Sequence, residues 1–273
     1  MPEGPEIRRA RDEIAAAIEG ETATRVIFYQ PALERWNGRF DGEKILEVRN
    51  KGKALLTHFA HGYSIYSHNQ LYGRWLVAEP GKMPEGNRQL RLAIHTARMS
   101  ALLYSASDIA IWPSDDLHNH PFLKKLGPDV LEESTAAEEI HQRLRSSAYS
   151  KRQLGGFLAD QSFVAGLGNY LRCEILFAAG LHPRRRPHEL SEEQCRLLAE
   201  KLLALPRQSY KTRGITNDVH RAEKLMEAGR SFEQARFQVF RRAGEPCYRC
   251  GSCIIQEKQG GQTCYLCPGC QNL

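Results

Sequence analysis

Gln161-Ser162-Phe163-Val164-Ala165-Gly166-Leu167-Gly168-Asn169-Tyr170-Leu171 breaks a run of helical patterns in the second half of the chain. Its glycines and Asn169 read as a turn leading into a helix over Leu171–Ala179, which Gly180 can cap. Upstream, apolar spacing predicts helices over Ala136–Ser146 and Gln153–Gln161. Downstream, it predicts one over Glu192–Leu205. Ser191 is that helix's N-cap candidate, with Gln194 three residues later in capping-box position. Backbone amides and an asparagine amide at such a turn can bind a phosphate. Gly166, Gly168 and Asn169 are therefore candidate anion ligands. Residues 212–233 are polar and weakly periodic, and read as a loop.

Toward the N-terminus the pattern changes. Pro5 suits a first helical turn, Ile7, Ala10, Ile14, Ala17 and Ile18 share one face, and Gly20 can end the helix. Short alternating or β-branched runs follow: Arg25–Tyr29, Lys44–Arg49, Lys53–Phe59, Tyr63–Ser67, Trp75–Ala78, Leu90–His95 and Ala101–Ser105. Strands so spaced, punctuated by Gly, Pro, Asn and Asp, predict an antiparallel sandwich or barrel. Pro121 and Pro128 mark a boundary. The expected architecture is a multi-domain α+β chain: an N-terminal antiparallel β-sandwich with a leading helix (1–127), a helical domain (128–234) and a short β-rich metal module (235–273).

Six of the eight cysteines lie between Cys247 and Cys270. The pairs Cys247-x2-Cys250 and Cys267-x2-Cys270 form two knuckles with the spacing that gives Zn2+ a tetrahedron of thiolates. Cys253 and Cys264 allow a nested set, Cys250 and Cys253 with Cys264 and Cys267. Gly251 and Pro268 favour the outer set. Four cysteines close the coordination sphere, so one structural Zn2+ is expected. Cys173 and Cys195 sit in helical apolar patterns and read as buried thiols.

The chain has 273 residues, 26% charged and 41% apolar, an ordinary globular composition. No apolar run nears the ~18 residues of a membrane span, and no secretory pattern begins the sequence. A cytoplasmic protein is expected. The net charge of +6 falls wholly in residues 182–273, where 16 Lys and Arg face 10 Asp and Glu. A basic end suits a polyanionic partner, nucleic acid above all, although a solubility charge reads equally well.

The first residues carry a chemical option. Pro2 follows Met1 directly, and a small residue there normally permits removal of the methionine. The new terminus would be a secondary amine, neutral enough near physiological pH to act as a nucleophile. Glu3 adjoins it as a proton carrier.

Residue by residue, Met1-Pro2-Glu3-Gly4-Pro5-Glu6-Ile7 resembles the start of the formamidopyrimidine-DNA glycosylase/endonuclease VIII family. Asn50-Lys51-Gly52-Lys53 resembles its lysine turn, residues 161–171 its helix-two-turns-helix motif, and Cys247–Cys270 its zinc finger. Gly4 and Tyr66-Ser67-His68-Asn69-Gln70-Leu71-Tyr72-Gly73 are most similar to the endonuclease VIII branch. The resemblance implies a bifunctional DNA glycosylase and AP lyase that removes oxidised pyrimidines. Its partner would be double-stranded DNA containing oxidised bases or abasic sites. It implies a monomer, working on the bacterial nucleoid. Pro2 would be the nucleophile, Glu3 the acid–base group and Lys53 a second proton donor or cationic stabiliser. Gln70, Leu71 and Tyr72 would fill the gap left by an extruded base. Lys125 stands where the family usually has arginine, keeping the charge and losing the fork. Asn169 would bind phosphate. Arg152 and Arg184–Arg186 read as phosphate contacts or as solvated surface.

One residue departs from the pattern. Five positions before the third zinc ligand the family carries a phosphate-gripping arginine, and this chain has Gln262. Lys258 and Arg249 are the nearby cations. The loss bears on DNA affinity and on the second elimination. Two other readings stay open: the same chemistry on oxidised purines, against which Gly4 and the wedge tripeptide stand, and a non-catalytic zinc-finger DNA binder, against which Pro2, Glu3 and Lys53 stand.

Overall fold

The computed structural model of the chain describes residues 2–82 and 86–273. Met1, whose removal the amine chemistry requires, lies outside them. By contact the chain divides into two units, Pro2 with Glu6–Lys125, and Glu3–Pro5 with Leu126–Leu273.

The first unit holds most of helix α1 (Gly4–Ile18) and eight strands: β1 (Ala23–Phe28), β2 (Ile45–Lys51), β3 (Ala54–Phe59), β4 (Tyr63–His68), β5 (Arg74–Ala78), β6 (Leu90–Thr96), β7 (Ser100–Tyr104) and β8 (Asp108–Pro113). They form two antiparallel four-stranded sheets, in the orders β1-β6-β7-β5 and β2-β3-β4-β8. The expected sandwich is present. Val26, Phe28, Leu92 and Leu103 from one sheet meet Val48, Phe59 and Ile65 from the other, with Ile14 and Ile18 of α1 in the same core. Burying each such side chain contributes about 1.5–3 kcal/mol. Strand β8 escaped the sequence reading because it is short, opens on an aspartate and closes on Pro113. Its place at a sheet edge is where a proline is tolerated.

The second unit contains α2 (Ala137–Arg145), α3 (Leu154–Phe157), α4 (Asn169–Ala178), α5 (Glu192–Lys211), α6 (Val219–Glu227), α7 (Phe232–Ala235) and the hairpin of β9 (Ile255–Gln259) and β10 (Gln262–Leu266). Its main core joins Ile140 and Leu144 of α2, Phe157 of α3, Leu171 and Ile175 of α4, and Leu198 and Leu202 of α5. The expected helix over 153–161 shrinks to the single turn of α3, which contains the poor helix formers Gly155 and Gly156. Helix α5 runs through Pro206, which is buried, to Lys211 instead of stopping at Leu205. The stretch 212–233 is no loop. Asp218 accepts the Arg221 N–H and caps α6, Ser231 and Gln234 form a capping box on α7, and Ile215, Ala222 and Ala235 make a small core beneath them. No helix among the described residues is long and apolar enough to cross a membrane.

Candidate active site, nucleic-acid surface and metal centre

Residues 3–5 lie on the turn that opens α4. The Gly4 N–H donates to the Gly166 carbonyl at 2.7 Å. The Glu3 carboxylate, 3% exposed, accepts from the backbone N–H groups of Gly168 at 2.7 Å, Tyr170 at 2.8 Å and Leu171 at 3.3 Å. These are the orphan donors of a helix N-terminus, where a negative charge is favoured. Gly168 is required there, because a Cβ on it would stand 2.5 Å from the Glu3 carboxyl carbon. The expectation that the turn amides bind phosphate is thereby corrected. Gly168 serves the protein's own carboxylate, and the Gly166 N–H donates to Gln161 Oε1 at 3.0 Å. Pro2, half-buried, directly precedes this anchored glutamate.

Asn169 follows Gly168, and its side chain is held from both ends. Its Nδ2 donates to the Thr263 carbonyl at 2.9 Å, and its Oδ1 accepts from the Arg172 guanidinium. Arg172 is 1% exposed and donates also to the carbonyls of Gly155 and Gln259. It therefore ties α4 to α3 and to the β9–β10 hairpin. Sequence reasoning missed Arg172; the signal was its i,i+3 spacing from Asn169, which puts both on one helix face. Gln262 opens β10 beside Thr263 and is exposed. Of the neighbouring cations, Lys258 pairs across the hairpin with Thr263 and donates to its hydroxyl at 3.2 Å. Arg249 is turned away: it donates to the Phe177 carbonyl and lies over the Phe177 ring.

In the first unit, Lys53 occupies the two-residue turn between β2 and β3 and is 5% exposed. Gly52 ahead of it has φ 57°, as the first position of a type II′ hairpin requires. Gln70, Leu71 and Tyr72 cross from β4 in one sheet to β5 in the other. Leu71 and Tyr72, adjacent at this crossing, are 62% and 71% exposed. Lys125 ends a short 3-10 turn and is exposed.

The thiol sulfurs of Cys247, Cys250, Cys267 and Cys270 all lie within 4.8 Å of one another. Cys247–Cys270 are 3.9 Å apart and Cys250–Cys267 3.4 Å, against ~3.8 Å for thiolates in a tetrahedron about zinc. The donor set and its spacing fit the metal. The nested alternative fails, since Cys253 is not among the converging thiols and Cys264 points inward to Cys173, sulfur to sulfur at 3.8 Å. Cys173 and Cys195 are buried as expected.

The sequence matches two family profiles, the Formamidopyrimidine-DNA glycosylase N-terminal domain over residues 1–107 and the Formamidopyrimidine-DNA glycosylase H2TH domain over residues 126–220. It is 47% identical over 272 residues to Endonuclease 8 of Klebsiella pneumoniae subsp. pneumoniae, covering the whole of both chains. The chain belongs to the formamidopyrimidine-DNA glycosylase/endonuclease VIII family. Endonuclease 8 of Escherichia coli O17:K52:H18 is 46% identical over 272 residues, again covering all of both chains. Among solved structures, the fold matches that of Lactococcus lactis Fpg in complex with an abasic-site-containing DNA, with a TM-score of 0.83 and 24% identity over 99% of this chain and 100% of that one. A second complex of the Lactococcus lactis enzyme, with an oxidised-pyrimidine-containing DNA, matches at a TM-score of 0.82 and 23% identity over 100% of both chains.

Proposed function

We infer that this chain is a bifunctional DNA glycosylase and AP lyase of base excision repair. It excises oxidised pyrimidines from double-stranded DNA and cleaves the strand at the abasic site. Relatives 46–47% identical along the whole chain carry the name Endonuclease 8, and this supports the substrate branch. The observation that carries the reading is the Glu3 carboxylate, buried and bound by three amides immediately after Pro2.

With Met1 removed, the Pro2 nitrogen attacks C1′ of the damaged nucleotide and the N-glycosidic bond breaks. The Glu3 carboxylate takes the proton that the Pro2 nitrogen sheds on bonding to C1′, and passes it to the departing base, which is the acid–base role assigned to it. The sugar ring then opens at C1′–O4′, O4′ takes a proton, and a C1′ iminium forms. The iminium withdraws electrons, so C2′ loses a proton and the C3′–O bond breaks with departure of the 3′-phosphate. A second elimination releases the 5′-phosphate, and water hydrolyses the iminium to free the amine. Lys53 is the second proton donor or cationic stabiliser. Leu71 and Tyr72 fill the vacated stack while Gln70 meets the orphaned base. Asn169, Lys125 and Gln262 contact phosphate.

Residues 1–127, 128–234 and 235–273 divide the work into chemistry, backbone grip and finger. Cys247, Cys250, Cys267 and Cys270 would hold one Zn2+, which supplies a fixed fold for the finger and leaves no position open for substrate. The chain acts as a monomer in the bacterial cytoplasm, on the nucleoid.

Borohydride reduction of the protein mixed with abasic-site DNA tests the chemistry. A covalent adduct mapping to Pro2 is expected. Equal trapping by a Met1-retaining or N-acetylated form would remove Pro2 as nucleophile.

A further inference from the structure

The wedge tripeptide stands on an unusual piece of backbone. Gln70 has φ 50°, in the left-handed region that a side-chain-bearing residue occupies only when its surroundings hold it there. Three bonds surround it. The Gln70 N–H donates to His68 Nδ1 at 3.0 Å. Ser107 Oγ donates to Gln70 Oε1 at 2.8 Å. The Gly73 N–H donates to the Asn69 carbonyl at 2.7 Å. His68 is the last residue of β4, and its ring meets Phe122 edge-on with centroids 5.1 Å apart. The imidazole is thus fixed by packing on one side while its nitrogen reaches the loop.

We propose that His68 is a positioning residue for the wedge: its unprotonated Nδ1 holds the Gln70 N–H, and with it the left-handed turn that presents Leu71 and Tyr72 to DNA. This rests on the glycosylase reading above, since the wedge acts when a stacked base is turned out. A backbone N–H can bond only an imidazole nitrogen that lacks a proton, so the doubly protonated ring cannot make the contact. The charged groups facing His68 are Asp108, its cross-strand partner on β8, and Lys53 from the β2–β3 turn. Burial pushes the His68 imidazole below the usual value of 6.5, Asp108 opposes this, and Lys53 adds to it. The acceptor is therefore intact at neutral pH and is lost only as pH falls below the ordinary histidine range.

The experiment compares wild type, His68→Phe and His68→Asn on two duplexes, one with a paired oxidised pyrimidine and one with a preformed abasic site. Phenylalanine keeps the ring against Phe122 and removes the acceptor. Asparagine restores an oxygen acceptor two residues before the bonded N–H, the arrangement of an Asx turn. His68→Phe should lower lesion excision about tenfold, the weight of one unmet backbone hydrogen bond, with abasic-site cleavage unchanged. His68→Asn should recover most of that loss. The wild-type ratio of lesion excision to abasic cleavage should fall as pH drops below 6.5, while that of His68→Asn stays flat. Insertion is read without catalysis from 2-aminopurine fluorescence beside a stable abasic analogue, and should weaken in His68→Phe alone. Equal losses on both substrates, or no rescue by asparagine, would overturn the proposal and leave the glycosylase reading standing. A wild-type chain inert on both duplexes would overturn both.

Discussion

Glu3 and Gly168 are bonded at 2.7 Å, carboxylate oxygen to backbone N–H, across 165 residues of sequence. The bond places the residue after Pro2 on the N-terminus of α4. It also explains why position 168 carries no side chain, since the first added carbon would stand 2.5 Å from the carboxyl group.

Gly168→Ala should therefore displace Glu3 without touching its chemistry. A shift of about 1 Å in a positioned group can lower a rate about a hundredfold, so base excision should fall by that order. Steady-state excision and thermal melting check this together. A variant of near-normal activity would show that the Glu3 contact with α4 does not serve the reaction.

The metal assignment separates two sets of cysteines. Cys253→Ser should retain one zinc per chain and melt like the wild type. Cys247→Ser with Cys270→Ser should lose the metal and the fold of the finger, because binding energy at such a site is folding energy. Atomic absorption and melting curves decide it, and full zinc content in the double variant would refute the outer set. Chelation of the wild type should reproduce the double variant.

Leu71 is 62% exposed at the crossing between sheets. Leu71→Ala should slow excision of a paired lesion about tenfold or more, because extrusion requires a few kcal/mol of unstacking that the wedge offsets. Cleavage at a preformed abasic site should change far less. Matching losses on the two substrates would indicate a damaged fold.

Gln262 opens β10 beside the Thr263 carbonyl that Asn169 holds. Gln262→Arg should tighten binding to an abasic analogue and steepen the salt dependence by about one unit on logarithmic axes, one added phosphate contact. A guanidinium also forms a charge-assisted pair that an amide cannot. Binding isotherms over a salt series measure the slope, and an unchanged slope would place residue 262 away from DNA.

Local pattern was sufficient wherever the cause of structure is local. Alternation over six or so residues specifies a half-buried strand, and seven of the eight sandwich strands were readable from it. Ser191 and Gln194 announced the start of α5, and knuckle spacing announced the metal set. The errors also have local explanations. The caps Asp218 and Ser231 were present before α6 and α7, and Val219, Ala222, Leu225 and Met226 stand at helical spacing after the first, but the charged residues between them hid the pattern.

The sequence by itself thus determined the strands, the main helices, the family and the four thiolates, since each depends on neighbours along the chain. Tertiary structure decided what crosses it. The turn before α4 has its amides filled by Glu3, because segments distant in sequence can satisfy the same orphan donors that a phosphate would. Arg172 is drawn inside by the carbonyls of Gly155 and Gln259, and Cys264 is taken from the metal set by the inward face of β10 against Cys173. No sequence period encodes these contacts: each requires two surfaces brought together by the burial of their own apolar residues.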